Sequence, residues 1–278
     1  MMERGWELTK KSWSLVRQKK TLVLLPLFSA SFALLGFSAL FVYHHGRPWW
    51  WYPLALAAVY FPTSFVGTFC AVAFVAMGQR LLDGEEATLR DGLRCATQRL
   101  PQILGWALVA SVVGFLVSLL QHVQGGWLVE RVAAWLLDLA WVAASFFAIP
   151  ILVLERRGPL QTLRRSVALV GQRWGEGVTG IATIAGAIVI VVIPAAFLGI
   201  AGYMIKPASE VIGDVLIAAA ALIFAAAIAY SSATSQMFQL VLYRYATEGE
   251  VVGPFDVDDF QAAFKTSSRR GLLFWRKS

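Results

Sequence analysis

Six cations stand out by where they sit: Lys10 and Lys11, Arg90 and Arg94, Arg164 and Arg165. Each pair lies in a short stretch whose apolar residues recur at helical spacing. The clearest is PLQTLRRSVALVGQRW, residues 159–174. Leu160, Leu163, Val167, Val170 and Trp174 share one face of a helix there, and Arg164, Arg165, Gln172 and Arg173 occupy the rest. Guanidinium and ammonium groups beside apolar side chains can hold lipid phosphates, and such a helix lies in the head-group layer. The six cations are therefore candidates for binding lipid head groups. They could equally be charge that sets membrane topology and holds no ligand.

Other groups could carry chemistry. Asp138 is the acid that lies well inside an apolar run, and intramembrane carboxylates are functional candidates by default. A carboxyl that snorkels, pairs or stays protonated is the alternative. His44, His45 and His122, with Glu130 and Asp138, offer metal-ligating types. The histidines also sit at the ends of apolar runs, where interfacial polar residues belong. Ser231, Ser232, Thr234, Ser235, Gln236 and Gln239 could line a cavity or act as packing glue between helices. Pro62, Pro150 and Pro194 lie inside apolar runs and can kink them. Cys70 and Cys95 form no disulfide or zinc pattern. No Walker, GxSxG or HExxH motif is present. The expectation is no cofactor, no metal, no catalytic residue and no enzyme.

The elements that must position these groups follow from composition. The chain is 58% apolar and 15% charged, against about 45–50% and about 25% in a soluble domain. The excess lies in runs long enough to cross a bilayer. Six spans are expected, at about 21–43, 53–78, 102–121, 132–154, 177–203 and 214–243. The last is longer than a bilayer needs and is expected to overrun it or turn its polar face inward. Gly180, Gly186, Gly199 and Gly202, with the alanines from Ala218 to Ala227, predict close packing of spans five and six. The fold class is all-α: six transmembrane helices and three in-plane basic amphipathic helices.

The basic helices, at about 5–20, 86–100 and 159–174, read as copies. A shift of 74 residues aligns Thr88-Leu89-Arg90 with Thr162-Leu163-Arg164, and Gly84 with Gly158. The second stripe is Leu89, Leu93, Ala96 and Leu100. A shift of 154 aligns Lys10-Lys11-Ser12 with Arg164-Arg165-Ser166, and the first stripe is Trp6, Trp13 and Val16. The pattern reads as three repeats of helix plus transmembrane hairpin, about 5–78, 84–154 and 158–245. The transmembrane domain covers 1–248, and 249–278 form a tail. With both termini cytoplasmic, 21 Lys and Arg face inward and 3 (Arg47, Arg131 and Lys206) face outward. That is the positive-inside pattern. Nucleic acid is not an expected partner, because the basic residues are tied to membrane boundaries.

Several stretches resemble a known family. They are Ser12-Trp13 ahead of Pro26, the block FAIPILVLERRGPLQTLRRS (147–166), Trp174-Gly175, and LYRYATEGE (242–250). They resemble an uncharacterised family of bacterial six-span membrane proteins, a domain of unknown function. Its layout is similar to the membrane domain of some glycerophosphodiester phosphodiesterases. The resemblance implies a bacterial inner (cytoplasmic) membrane and no activity, and no phosphodiesterase domain is appended here. Two functions fit. One is a non-enzymatic protein that binds, organises or moves lipid-like molecules, anionic ones preferred. The other is a permease-like transport subunit that docks a cytoplasmic protein partner through its in-plane helices.

Overall fold

In hydrocarbon a backbone must satisfy its own hydrogen bonds, so apolar runs of this length become helices. The structure is a computed structural model that describes residues 14, 16, 17, 19, 21–44, 51–122, 127–173 and 178–249. Its helices are α1 (Thr21–His44), α2 (Trp51–Leu82), α3 (Leu89–Gln98), α4 (Leu100–His122), α5 (Trp127–Ser145), α6 (Ala148–Leu154), α7 (Pro159–Arg173), α8 (Val178–Ile205) and α9 (Glu210–Glu248). No strand occurs among the described residues. Five stretches are long and apolar enough to cross a membrane: Thr21–Leu40, Leu54–Leu82, Leu100–Val117, Trp135–Leu154 and Glu210–Glu248. The chain is a multi-pass helical membrane protein.

The buried core lies at one end of the bundle. It joins Leu22 and Leu25 at the start of α1, Val72 to Met77 late in α2, Ile103 early in α4, Ile151 in α6, and Met237 to Tyr243 late in α9. Ala96 of α3 and Leu169 of α7 complete it. The basic short helices spring from this end, which is therefore termed the basic end. Away from it the helices expose their side chains, as Trp135, Leu136 and Leu139 of α5 do. Such faces suit lipid, which is as apolar as they are.

Helix α9 has 39 residues, about 58 Å at 1.5 Å per residue against a core of about 30 Å. It runs unbroken through the 231–239 patch. Its polar groups bond along the helix: Thr234 Oγ1 donates to Tyr230 O (2.8 Å) and Gln236 Nε2 to Ser232 Oγ (3.0 Å). At the other end of α9 the small-residue expectation holds, where Gly202 lies so close to Gly213 O that an added Cβ would approach it to 2.9 Å.

The expected fourth span, 132–154, is two helices. The helix stops at Phe146-Phe147 and restarts at Ala148. Pro150 is the cause, because it has no N–H for Phe146 O and its ring would strike that carbonyl. In the third position of α6 the missing donor is no loss. The freed N–H of Phe147 donates to Ser166 Oγ of α7 at 3.1 Å. Ser166 is fully buried, so Ser166→Ala should strand that donor and lower stability by about 1–2 kcal/mol. Unfolding in mixed micelles measures it, with Ser209→Ala as the control, since Ser209 makes no side-chain cap bond.

The second basic helix is shorter than 86–100. Thr88 caps it, accepting from Asp91 N (3.3 Å), and Arg99 breaks it from α4. Pro101 explains the break, since it has no N–H for Thr97 O and its ring would strike that carbonyl. Of the first basic helix, Trp6, Lys10, Lys11 and Trp13 lie outside the described residues, as does the tail after Gly249. Val16 is buried in the core, as its stripe predicts.

Candidate functional site

At the basic end the cations divide into two sets. The inward set is structural. Arg165 Nε meets Glu155 Oε1 at 3.1 Å, Arg157 pairs with the other carboxylate oxygen, and Tyr243 OH donates to Glu155 Oε1 at 2.7 Å. Through Glu155 this joins α7 to the end of α9, Tyr243 lying 88 residues after Glu155. Burial of Glu155 opposes its ionisation, but the bonds from Tyr243 and Arg165 and the charges of Arg165 and Arg157 outweigh it. The carboxyl is held below the ordinary glutamate range. Arg99 donates to Leu152 O at 2.9 Å, satisfying one of the last carbonyls of α6. Lys19 donates to Ala87 O at 2.9 Å, Arg80 pairs with Asp91 at 2.9 Å, and Arg244 bridges Asp83 and Glu248.

The outward set includes Arg90, Arg94, Arg156 and Arg164, all exposed. Arg90 and Arg164 have no ion-pair partner among the described residues, and Arg94 acts only through space on Asp91. The Thr88 hydroxyl (2.5 Å) works against partial burial, and with the Arg80 and Arg94 charges it holds Asp91 below the ordinary aspartate range.

The apolar stripe of α7 is split, contrary to its reading as one face. Leu163 and Val170 pack inward, whereas Leu160 and Val167 point out, 67% and 49% exposed. The face that is fully buried carries Thr162 and Ser166 with Leu169. Leu160, Arg164 and Val167 thus share an outward, basic-plus-apolar face. On α3, Leu89, Gly92 and Ala96 face the protein, and Arg90, Leu93 and Arg94 face outward.

Two hollows flank α3. One is an apolar groove of about 360 Å³ between α1, α2 and α3, lined by residues that include Leu24, Phe28, Phe65, Phe69, Leu89 and Leu93. The other is a polar cavity of about 480 Å³, bordered by Gln79, Arg80, Asp83, Asp91, Arg94 and Arg99 among others.

Of the sequence-predicted candidates, Arg90 and Arg94 come together with these hollows, Arg164 sits on α7, and Arg165 is engaged with Glu155. Lys10 and Lys11 are outside the described residues. Asp138 is exposed on α5, with no bond or ion pair among them. His45 and the side chains of His44, His122 and Glu130 also lie outside them. Sequence reasoning missed Glu155, Tyr243, Ser166 and Arg99. A signal existed for the first three: they fall in the two stretches, 147–166 and 242–250, that carry the family resemblance, and the fold brings those stretches into contact.

A helical multi-pass membrane protein whose short basic helices cross one end of the bundle is the class these features define. Within that class the chain belongs to DUF6159, a family of unknown function, whose model matches residues 52–253. No curated protein and no solved structure matches it.

Proposed function

We propose that this protein is a non-enzymatic membrane protein that binds, organises or moves lipid-like molecules at the cytoplasmic leaflet of a bacterial inner membrane. The carrying observation is the outward faces of α3 and α7, where exposed guanidinium groups stand beside exposed apolar side chains. An interfacial helix needs that combination to enter the head-group layer and hold anionic lipid. The charge split of 21 to 3 supports cytoplasmic termini. The 28 residues of α8 support a sixth span. Among the described residues the order of short basic helix and apolar spans recurs after α3 and after α7, which supports repetition.

The test is to replace Arg90, Arg94 and Arg164 with Gln and to measure lipid retention by native mass spectrometry from discs of mixed phosphatidylglycerol and phosphatidylcholine. Each cation near the surface contributes about 1 kcal/mol, so the preference for the anionic lipid should fall at least about tenfold. An unchanged preference would overturn the proposal. A stoichiometric protein retained in place of lipid would favour the permease-like subunit instead.

A further inference from the structure

The lipid-handling reading leaves open whether lipid is held diffusely or at one place, and the geometry around α3 bears on that. At 3.6 residues per turn, positions around α3 can be set out from Leu89. Leu93 follows at about 40°, Arg90 at about 100°, Arg94 at about 140° and Asp91 at about 200°. Leu89 and Leu93 line the apolar groove, whereas Arg94 and Asp91 line the polar cavity. Arg90 therefore stands over the lip between them, exposed and without an ion-pair partner among the described residues. Gly92 seats α3 against Ala73 and Met77 of α2, so this ridge is fixed to the bundle.

An amphipathic ligand would match that order of surfaces. The groove is apolar and of a size that holds a small-molecule ligand, within the roughly 300–1,000 Å³ of such sites. The cation at its lip calls for an anion joined to the apolar part. The polar cavity beyond offers both hydrogen-bond donors and carboxylates for a hydroxylated or amine-bearing head group. A free phosphate would leave the groove unused, a lipid without phosphate would leave Arg90 unpaired, and a zwitterionic lipid would bring its own cation to compete for the phosphate.

We propose that α3 carries a discrete site for one anionic phospholipid. One acyl chain lies in the groove against Phe28, Phe69 and Leu93, the phosphate meets Arg90, and the rest of the head group reaches Arg94 at the mouth of the polar cavity. The site rests on the lipid-binding reading and adds its place and stoichiometry.

The experiment uses the full-length protein in phosphatidylcholine discs with a phosphatidylglycerol probe that carries a photoreactive diazirine at the end of one acyl chain. Labelling should concentrate on peptides covering 24–28 and 65–70. Leu93→Trp, which fills the groove from an already part-exposed position, should cut that labelling about tenfold, and Arg90→Gln about fivefold. Arg90→Gln should change labelling by the matching phosphatidylcholine probe less, because choline offsets that phosphate within its own head group. Labelling spread over exposed apolar faces such as 135–139 would overturn the site, as would Leu93→Trp without effect. If labelling is spread but the triple Arg variant still loses anionic preference, the site fails and the broader reading stands. If that preference is also unchanged, both fail.

Discussion

Glu155→Ala should lower the stability of this protein by about 2–3 kcal/mol, the largest loss expected from one polar side chain here. Glu155 is 18% exposed at its side chain and accepts from both Arg165 and Tyr243. Removing it leaves the Tyr243 hydroxyl unpaired beside Phe147, whose ring lies 6.1 Å from that of Tyr243. The Arg165 end is 36% exposed and recovers part of its loss in water, and the Arg157 end is 44% exposed and recovers more. That is why the figure stays below the roughly 3–5 kcal/mol for breaking a fully buried pair. Unfolding in mixed micelles would measure it, with the exposed Glu85→Gln as a control that should change little.

The same carboxyl makes a pH prediction. Its folded pKa is depressed, so its contribution is present above the unfolded value of about 4.3 and is lost as pH falls through the lower folded value. The wild-type melting temperature should therefore fall more steeply below about pH 4.3 than that of Glu155→Gln, which has no proton to gain. Parallel curves would show that the carboxylate does not hold α7 to α9.

Gly92→Leu should dislodge α3 and cost about 3 kcal/mol. Even a Cβ at this position would lie 2.7 Å from Ala73 O and 2.7 Å from Met77 Cγ. The methionine can turn away, but the carbonyl belongs to the backbone of α2 and cannot. Gly92→Ala is a weaker test, since better helix propensity returns about 1 kcal/mol of the strain. Undocking would expose Cys95, which is half-buried on α3. Maleimide labelling should rise at Cys95. Gly171→Ala, where nothing lies within 4 Å of the added carbon, should leave stability unchanged or slightly higher. Equal labelling of Cys95 in wild type and Gly92→Leu would refute the docking.

Much of the fold was legible in the sequence because a bilayer imposes one requirement on every span. An apolar run long enough to cross must be helical, and α1, α2, α4 and α9 follow their runs closely. The length of α9 and the close approach at Gly202 were also legible, since length and side-chain size are local properties. The existence of the short basic helices came from periodicity alone, because apolar residues recurring every 3.6 positions match a helix and not a strand.

Tertiary structure decided which way those helices face and which of their charges are used. In water, an apolar stripe identifies the buried face. At a membrane it does not, because lipid accepts Leu160 and Val167 as readily as protein would, and α7 turns its hydroxyls inward instead. Ser166 is buried where it accepts the N–H of Phe147, just ahead of the restart of α6. That restart follows from Pro150, a residue the one-dimensional pattern places inside a single span. Arg164 and Arg165 are neighbours in sequence with the same charge. Only the fold, by carrying Glu155 and Tyr243 to one of them, made Arg165 a structural tie and left Arg164 facing outward.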